Sequence, residues 1–257
     1  TLEKANVHLH IVRFNAMASA CQLILDTPDT DLAHAVAQPV CNEVLRIEQK
    51  FSRYLNNSVT SQIQMQGFRG LAIDEETYRL LCFADTLFDL SDGLFDITSG
   101  VLGRVWRFDQ SDRVPDQASI DQLLPLVGWR KVHFDAHSIT MPQGMALDFG
   151  GIGKEYAVDR GFALTERLCD CAFVINLGGD LRTKGPRHDG DNWTIGIEHP
   201  DQAQASLLNL DFSCKALATS GDAHRYLLQN GIRYGHLLNP QTGWPITRVP
   251  RFVTVAA

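Results

Sequence analysis

Residues Asp148–Asp159 combine side chains and backbone features that suit anion binding. The carboxylate of Asp148 precedes a glycine turn at Gly150–Gly153, and Lys154 follows directly at the start of a predicted helix. Glycines let a ligand approach the backbone closely, and the first turn of a helix offers unpaired N–H groups to an anion. The spacing matches neither a Walker loop nor the Rossmann glycine motif. On these residues alone, an anion-binding loop and an ordinary turn before a helix both remain open.

Two further segments carry side chains suited to ligand binding or proton transfer. Leu94, Phe95 and Asp96 follow a predicted helix and are able to pack against a planar ring with a polar edge, although such a segment is more often a capped turn. His236 lies on a predicted strand before a turn with Pro and Gly. An imidazole titrates near neutral pH and suits a general base, but a single histidine on a strand is more often structural. The two interpretations of each segment remain open.

The elements that must position these residues include several predicted strands. Residues 7–14 and 21–25 alternate in polarity and predict two paired strands, joined by the small residues 16–19. Residues 173–177 predict a buried strand. Asn230-Gly231 predicts a two-residue hairpin turn. Further alternation predicts strands at Trp193–Ile197, Leu208–Phe212 and Val253–Val255.

Apolar residues at helical spacing predict four helices. Residues 40–51 present one apolar face, and Pro39 is expected to kink or delay that helix. Asp74–Glu76 places acidic residues in the first turn of a second helix. Residues 121–126 predict a short helix, and residues 157–168 predict a longer one after the glycine turn.

The distribution of elements and the composition indicate one large α+β domain over residues 1–257. Helices fall mainly in the first two-thirds and antiparallel strands crowd the last third, without βαβ alternation. The chain has 44% hydrophobic and 21% charged residues, and its net charge of -7 disfavours nucleic acid as a partner. No apolar run is long enough for a membrane span. The start at Thr1 lacks a signal pattern, and the six scattered cysteines predict buried thiols, so a cytoplasmic location is expected.

Taken in chain order, these segments resemble the FAD:protein FMN transferase (ApbE-type) family. The resemblance rests on Ala16–Ser19, Phe51–Tyr54, Gly93–Thr98, Asp148–Asp159, Asn176–Asp180, Thr219–Asp222 and His236–Gly243. It implies an enzyme that binds FAD and Mg²⁺, transfers FMN from FAD to a Ser or Thr hydroxyl of a target flavoprotein, and releases AMP. The alternatives are a FAD-binding or carrier protein without transfer activity, and a metal-dependent FAD pyrophosphatase that produces FMN and AMP.

The resemblance also implies roles for individual residues. His236 would be the catalytic base. Gly151 would bind the metal, through its carbonyl because it has no side-chain oxygen. The residues that would contact FAD are Met17, Tyr54, Leu94, Phe95, Asp96, Asp148, Lys154 and Leu238.

The sequence departs from the family pattern at two places. Ala18-Ser19 replaces the family's Gly-Thr, a change between small residues that we expect to be tolerated. The family places an Asp and a Thr, both metal ligands, just after the strand that Val253–Val255 resembles, whereas the sequence given stops at Ala257. We therefore expect the family's C-terminal segment to be missing from these 257 residues. Many relatives act at the periplasmic face of the inner membrane, which is the alternative to a cytoplasmic location.

Overall fold

The chain folds into two compact units, each with its own helices and strands. The structure is a computed structural model that describes residues 1–108, 113–199, 202–221, 226–247, 250 and 252–257. Unit 1 comprises Thr1–Glu48, Gly153–Ser220 and Arg251–Ala257, and unit 2 comprises Gln49–Ile152 and Gly221–Pro250. Helices and antiparallel strands occur together in the fold, which confirms the predicted α+β class.

The regular elements of the described residues follow one another in this order. The α-helices are α1 (Thr30–Phe51), α2 (Val59–Gln66), α3 (Glu75–Leu90), α4 (Gln117–Leu123) and α5 (Gly153–Leu168). The strands before α5 are β1 (Leu2–Lys4), β2 (Leu9–Ala16), β3 (Ser19–Asp26), β4 (Leu71–Ala72), β5 (His133–Phe134) and β6 (Ser138–Thr140). The strands after α5 are β7 (Ala172–Leu177), β8 (Asp180–Lys184), β9 (Trp193–His199), β10 (Gln202–Phe212), β11 (Ala216–Gly221), β12 (Tyr226–Gln229), β13 (Ile232–Gly235) and β14 (Phe252–Ala256). Short 3₁₀ helices span Gly67–Arg69, Ile97–Arg104, Leu124–Leu126 and Trp129–Lys131.

Unit 1 is organised around one large sheet. Its strand order is β1-β2-β3-β7-β8-β11-β14, and β2, β3, β7 and β8 pair in antiparallel fashion. Helix α5 packs on β7 and β8. Gly161 permits this close approach, because a Cβ built there would lie 2.3 Å from Cδ1 of Ile175. The hairpin of β9 and β10 contributes Trp193 and Phe212 to an apolar cluster that also contains Val174 of β7.

Unit 2 holds the remaining helices, a three-stranded sheet and a hairpin. The sheet order is β4-β6-β5, and β12 pairs with β13. Its apolar core includes Val101, Leu102 and Trp106 from the 3₁₀ helix and the residues after it, and Ile120 from α4. The Trp106 indole N–H donates to the Gly243 carbonyl at 2.8 Å, which anchors the segment after β13.

Most predicted elements are present, with three corrections. Helix α1 begins at Thr30 and continues through Pro39, so the proline does not delay the helix. The short helix predicted at 121–126 is the end of α4 followed by a 3₁₀ turn. All six cysteines are free thiols as expected, but only Cys21 and Cys169 are buried; Cys214 is exposed, and the other three are half-buried. No helix among the described residues is long and apolar enough to cross a membrane.

Candidate functional site

The turn between β2 and β3 carries Met17, one of the residues predicted to contact FAD. Ala16 pairs with Ser19, so Met17 and Ala18 form a two-residue hairpin loop. Both have positive φ, 53° and 55°. This conformation suits Asn or Gly and costs other residues about 1–2 kcal/mol each. The turn therefore holds backbone strain at a predicted ligand contact, a feature that is typical of functional sites.

The same turn borders a cavity in unit 1. The Met17 N–H donates to Oε1 of Glu48 at 2.7 Å, which ties the turn to helix α1. The cavity has a volume of about 410 Å³ and is lined by Asn15, Ala16, Ala18, Ser19, Ala20 and Glu48. The turn is thus fixed in place while its surface remains open to a ligand.

Lys154, the first cation after the glycine turn, lies close to this β2–β3 turn. A Cβ built at Gly178 would lie 2.6 Å from Ser19 and 3.9 Å from Nζ of Lys154. Nζ of Lys154 pairs with Oδ2 of Asp180 at 2.9 Å, and Asp180 is only 3% exposed. The other oxygen of Asp180 accepts the Thr219 N–H at 3.1 Å. Unit 1 therefore brings Lys154 close to the Ser19 end of the β2–β3 turn, and a buried carboxylate balances the lysine charge.

Glu155, next to Lys154 in helix α5, has a carboxylate without a full set of partners. Its Oε2 is buried and has no hydrogen-bond partner among the described residues. Burial is the main cause that raises the pKa of Glu155, and the nearby Asp180 charge adds to it. An acid of this kind stays protonated to higher pH than an exposed one. Sequence reasoning missed Glu155, since a glutamate in a first helical turn is ordinary.

Asp148 forms an ion pair in unit 2. Its Oδ2 lies 2.9 Å from Nη1 of Arg53, and its Oδ1 accepts the Gly150 N–H at 2.8 Å. Burial, the largest single cause, would lower the pKa of Arg53, but the charges of Asp148 and Tyr54 and the hydrogen bonds to both together raise it. Gly100 and Gly103 leave room for this pair, because a Cβ built on either would lie under 3 Å from Asp148 or Arg53.

Phe95 and Asp96 have different surroundings although they are neighbours. Phe95 packs against the glycine turn, since a Cβ built at Gly151 would lie 2.9 Å from its ring. Asp96 is buried and caps the 3₁₀ helix Ile97–Arg104. Its Oδ1 accepts from the N–H and the hydroxyl of Thr98, and its Oδ2 accepts the Trp129 N–H at 3.0 Å. In this structure Asp96 stabilises the chain around it.

The remaining predicted residues of unit 2 range from exposed to packed. Tyr54 is 76% exposed and Leu94 is 56% exposed, so both apolar surfaces are available to a ligand. His236 is half-buried, and its ring meets Phe108 edge-on with centroids 6.3 Å apart. Leu238 packs against the apolar core of the unit. Asp222, part of a segment that carried the resemblance, lies outside the described residues.

A family model described as "ApbE family" matches residues 14–257, which is most of the chain. The chain belongs to the ApbE family. The family predicted from the sequence is thereby confirmed.

Two relatives named "FAD:protein FMN transferase" illustrate the extent of the similarity. The protein from Vibrio cholerae is 28% identical over 216 residues, which cover 81% of this chain and 64% of the relative. The protein from Klebsiella pneumoniae is 28% identical over 251 residues, which cover 94% and 78%. This chain therefore spans about two-thirds to three-quarters of the length of these ApbE relatives.

Solved ApbE structures share the fold. The ApbE protein from Thermotoga maritima superposes with a TM-score of 0.88 at 30% identity, covering 97% of this chain and 82% of that one. The apo flavinyl transferase ApbE from Pseudomonas stutzeri gives 0.84 at 25% identity, covering 100% and 81%. Both comparisons extend over the two units.

The described residues do not assemble a magnesium site around Gly151. Mg²⁺ prefers oxygen ligands, and both oxygens of Asp148 are already engaged by Arg53 and Gly150. Among the described residues, the one cluster of three or more His, Cys, Asp or Glu side chains with ligand spacing does not include Asp148. The Gly151 carbonyl is thus a single potential ligand.

Proposed function

We propose that this ApbE protein transfers FMN from FAD to a Ser or Thr hydroxyl of a target flavoprotein and releases AMP. The observation that carries the proposal is the strained, open turn of Met17 and Ala18 beside Lys154 and the start of α5. Backbone strain is retained where a binding site requires it, and a helix start suits a diphosphate. Relatives along most of the chain that are named for this activity support the same reaction.

The reaction is a phosphoryl transfer. The acceptor oxygen attacks the phosphorus attached to riboflavin, the bond to the AMP phosphate breaks, and the hydroxyl proton moves to a base. We assign the base to His236, because its imidazole is half-buried and histidine is the side chain that most often serves as a general base. The glycine turn before α5 would hold the diphosphate. The exposed surfaces of Tyr54 and Leu94 would bind apolar parts of FAD.

Mg²⁺ is part of this proposal on the family resemblance alone. The ion would neutralise charge on the diphosphate, and the Gly151 carbonyl would contribute one ligand. Lys154 does not replace the ion, because its charge is balanced by the buried Asp180. A transfer rate that does not change when EDTA removes divalent ions would remove the metal from the proposal.

The test is a mass measurement on an acceptor. The protein is incubated with FAD, Mg²⁺ and a flavoprotein domain that carries a Ser or Thr target, and the acceptor is weighed while AMP is quantified. An added FMN mass with one AMP for each FMN is the expected result. FMN and AMP without an acceptor would indicate a pyrophosphatase, and FAD binding without AMP would indicate a carrier. The proposal fails if no divalent metal supports transfer.

Two variants test the assigned residues. His236→Ala is expected to bind FAD normally but to lose roughly 100-fold or more of the transfer rate, as expected for a general base. Asp148→Ala is expected to weaken FAD binding in Mg²⁺ by about tenfold, or roughly 1.4 kcal/mol, because it releases Arg53 and the glycine turn from the carboxylate that holds them. The exposed His133 and Asp135 of unit 2 provide matched controls as His133→Ala and Asp135→Ala. Equal losses of binding and rate in His236→Ala would make His236 a binding or structural residue.

A further inference from the structure

Three side chains of unit 1 that flavin transfer does not use lie together with metal-ligand spacing. His8, Asp26 and His188 each offer a ligand atom, and these atoms all lie within 4.8 Å of one another. His8 precedes β2, Asp26 ends β3, and His188 lies in the turn between β8 and β9. The group thus connects a surface turn with the large sheet.

Asp26 is a buried carboxylate with an unusual partner set. Its side chain is 0% exposed. It accepts the backbone N–H of His188 at 2.6 Å and lies 2.7 Å from the Nδ1 of the same residue. Among the described residues, no Lys or Arg forms an ion pair with it. Its ion-pair partner is His188, which carries a positive charge only when it is protonated. With a neutral imidazole the buried carboxylate has no compensating charge among the described residues, so the site has a place for a cation.

His8 has a nitrogen that the protein leaves unsatisfied. Its Nδ1 is buried and has no hydrogen-bond partner within the described ranges, which costs about 1–3 kcal/mol for a polar group. Its backbone is fixed, since its carbonyl accepts the Thr27 N–H at 2.6 Å. Its ring stacks on that of His188 with centroids 3.8 Å apart. The unpartnered nitrogen and the buried carboxylate are independent observations at one place.

We propose that His8, Asp26 and His188 bind a divalent transition-metal ion, with Zn²⁺ as the expected occupant. Two imidazoles and one carboxylate form a ligand set that suits Zn²⁺, and three protein ligands leave a fourth position for water. Mg²⁺ is not expected here, because it prefers oxygen ligands. This site is separate from the metal of the transfer reaction and does not depend on the proposed function.

Binding requires a rotation of one side chain. The two rings are nearly parallel, at 11°, so their lone pairs do not converge on one point. The ligand atoms of a tetrahedral Zn²⁺ lie about 3.3 Å apart. The His188 side chain is 38% exposed, so it is free to rotate toward the ion while Asp26 and His8 stay in place.

The experiment is a metal titration of the whole protein after treatment with EDTA. Zn²⁺ is expected to bind one ion per chain with a dissociation constant in the micromolar range or below, measured by calorimetry, and to raise the melting temperature. Co²⁺ is expected to give the visible absorption of a tetrahedral site without a thiolate charge-transfer band, which excludes the free cysteines as ligands. Binding should persist in millimolar Mg²⁺.

Variants decide whether these residues are the ligands. His8→Ala and His188→Ala should each weaken Zn²⁺ binding at least 100-fold, whereas His34→Ala, on the exposed face of α1, should bind like the parent protein. His8 and His188 are not fully buried, so both variants are expected to fold, which the melting temperature without metal verifies. The proposal would be overturned if the parent protein does not bind Zn²⁺. It would also be overturned if both variants bind Zn²⁺ as tightly as the parent does.

Discussion

Two hairpin turns of this protein have the same backbone geometry and opposite sequences. The β12–β13 turn uses Asn230 and Gly231, with φ of 53° and 77°, and these are the residues that such a turn favours. The β2–β3 turn uses Met17 and Ala18 at 53° and 55°, where neither residue is favoured. The β12–β13 turn therefore gains stability from its sequence. The β2–β3 turn loses stability from its sequence and borders the cavity of unit 1. The strain at Met17 and Ala18 is typical of a functional turn, and the variants below test whether Met17 contacts a ligand.

The largest expected effect comes from giving the strained turn the sequence of the relaxed one. Met17→Asn with Ala18→Gly should raise the free energy of unfolding by about 2 kcal/mol, because both residues then tolerate positive φ. FAD affinity should fall by about tenfold, since the Met17 side chain is lost. Urea denaturation and an FAD titration measure the two quantities.

The matched control is Ala18→Gly alone, which removes strain and keeps Met17. It should raise stability by about 1 kcal/mol with FAD affinity unchanged. If the double variant binds FAD as well as this control, Met17 makes no contact with the ligand, and the strain needs another explanation.

The reverse change should damage the relaxed turn. Gly231→Ala places a Cβ at φ 77° and should lower the free energy of unfolding by about 1 kcal/mol. A Cβ at this position would meet no atom within 4 Å, so the loss should come from the backbone alone. Urea denaturation measures it, and FAD affinity should not change. A neutral result would mean that positive φ at the second turn position is inexpensive in this protein, which would weaken the strain argument at Ala18 as well.

The two turns also show what sequence reasoning is able to predict. Asn230-Gly231 signals its conformation locally, and the hairpin was predicted from it. Met17-Ala18 carries no such signal, because the pairing of Ala16 with Ser19 imposes the geometry from outside the turn. The segment entered the prediction only through its family resemblance.

Side-chain contacts between residues that are distant in sequence were equally hard to predict. The sequence indicated Asp96 and Asp148 as similar ligand contacts, but Asp96 is buried as a helix cap and Asp148 pairs with Arg53. Arg53 and Asp148 are distant in sequence, so the spacing within each motif contains no information about their contact. The periodicity of residues 173–177 and 157–168, in contrast, is local, and β7 and α5 were predicted from it.

The smallest expected effect concerns a second unfavourable feature of unit 1, the buried Glu155 carboxylate next to Lys154. Since burial raises its pKa in the folded protein above the value near 4.5 of the unfolded chain, the protonated form stabilises the fold below that value. This contribution is lost as the pH rises through the folded pKa, so ionised Glu155 destabilises the protein at neutral pH. Glu155→Gln should therefore raise the free energy of unfolding at pH 7 and leave it unchanged at pH 4. Urea denaturation at both pH values measures the difference, with Glu166→Gln on the exposed side of α5 as the control. A gain that is the same at both pH values would show that ionisation of Glu155 is not its cause, and would leave the turn as the one strained feature of this region.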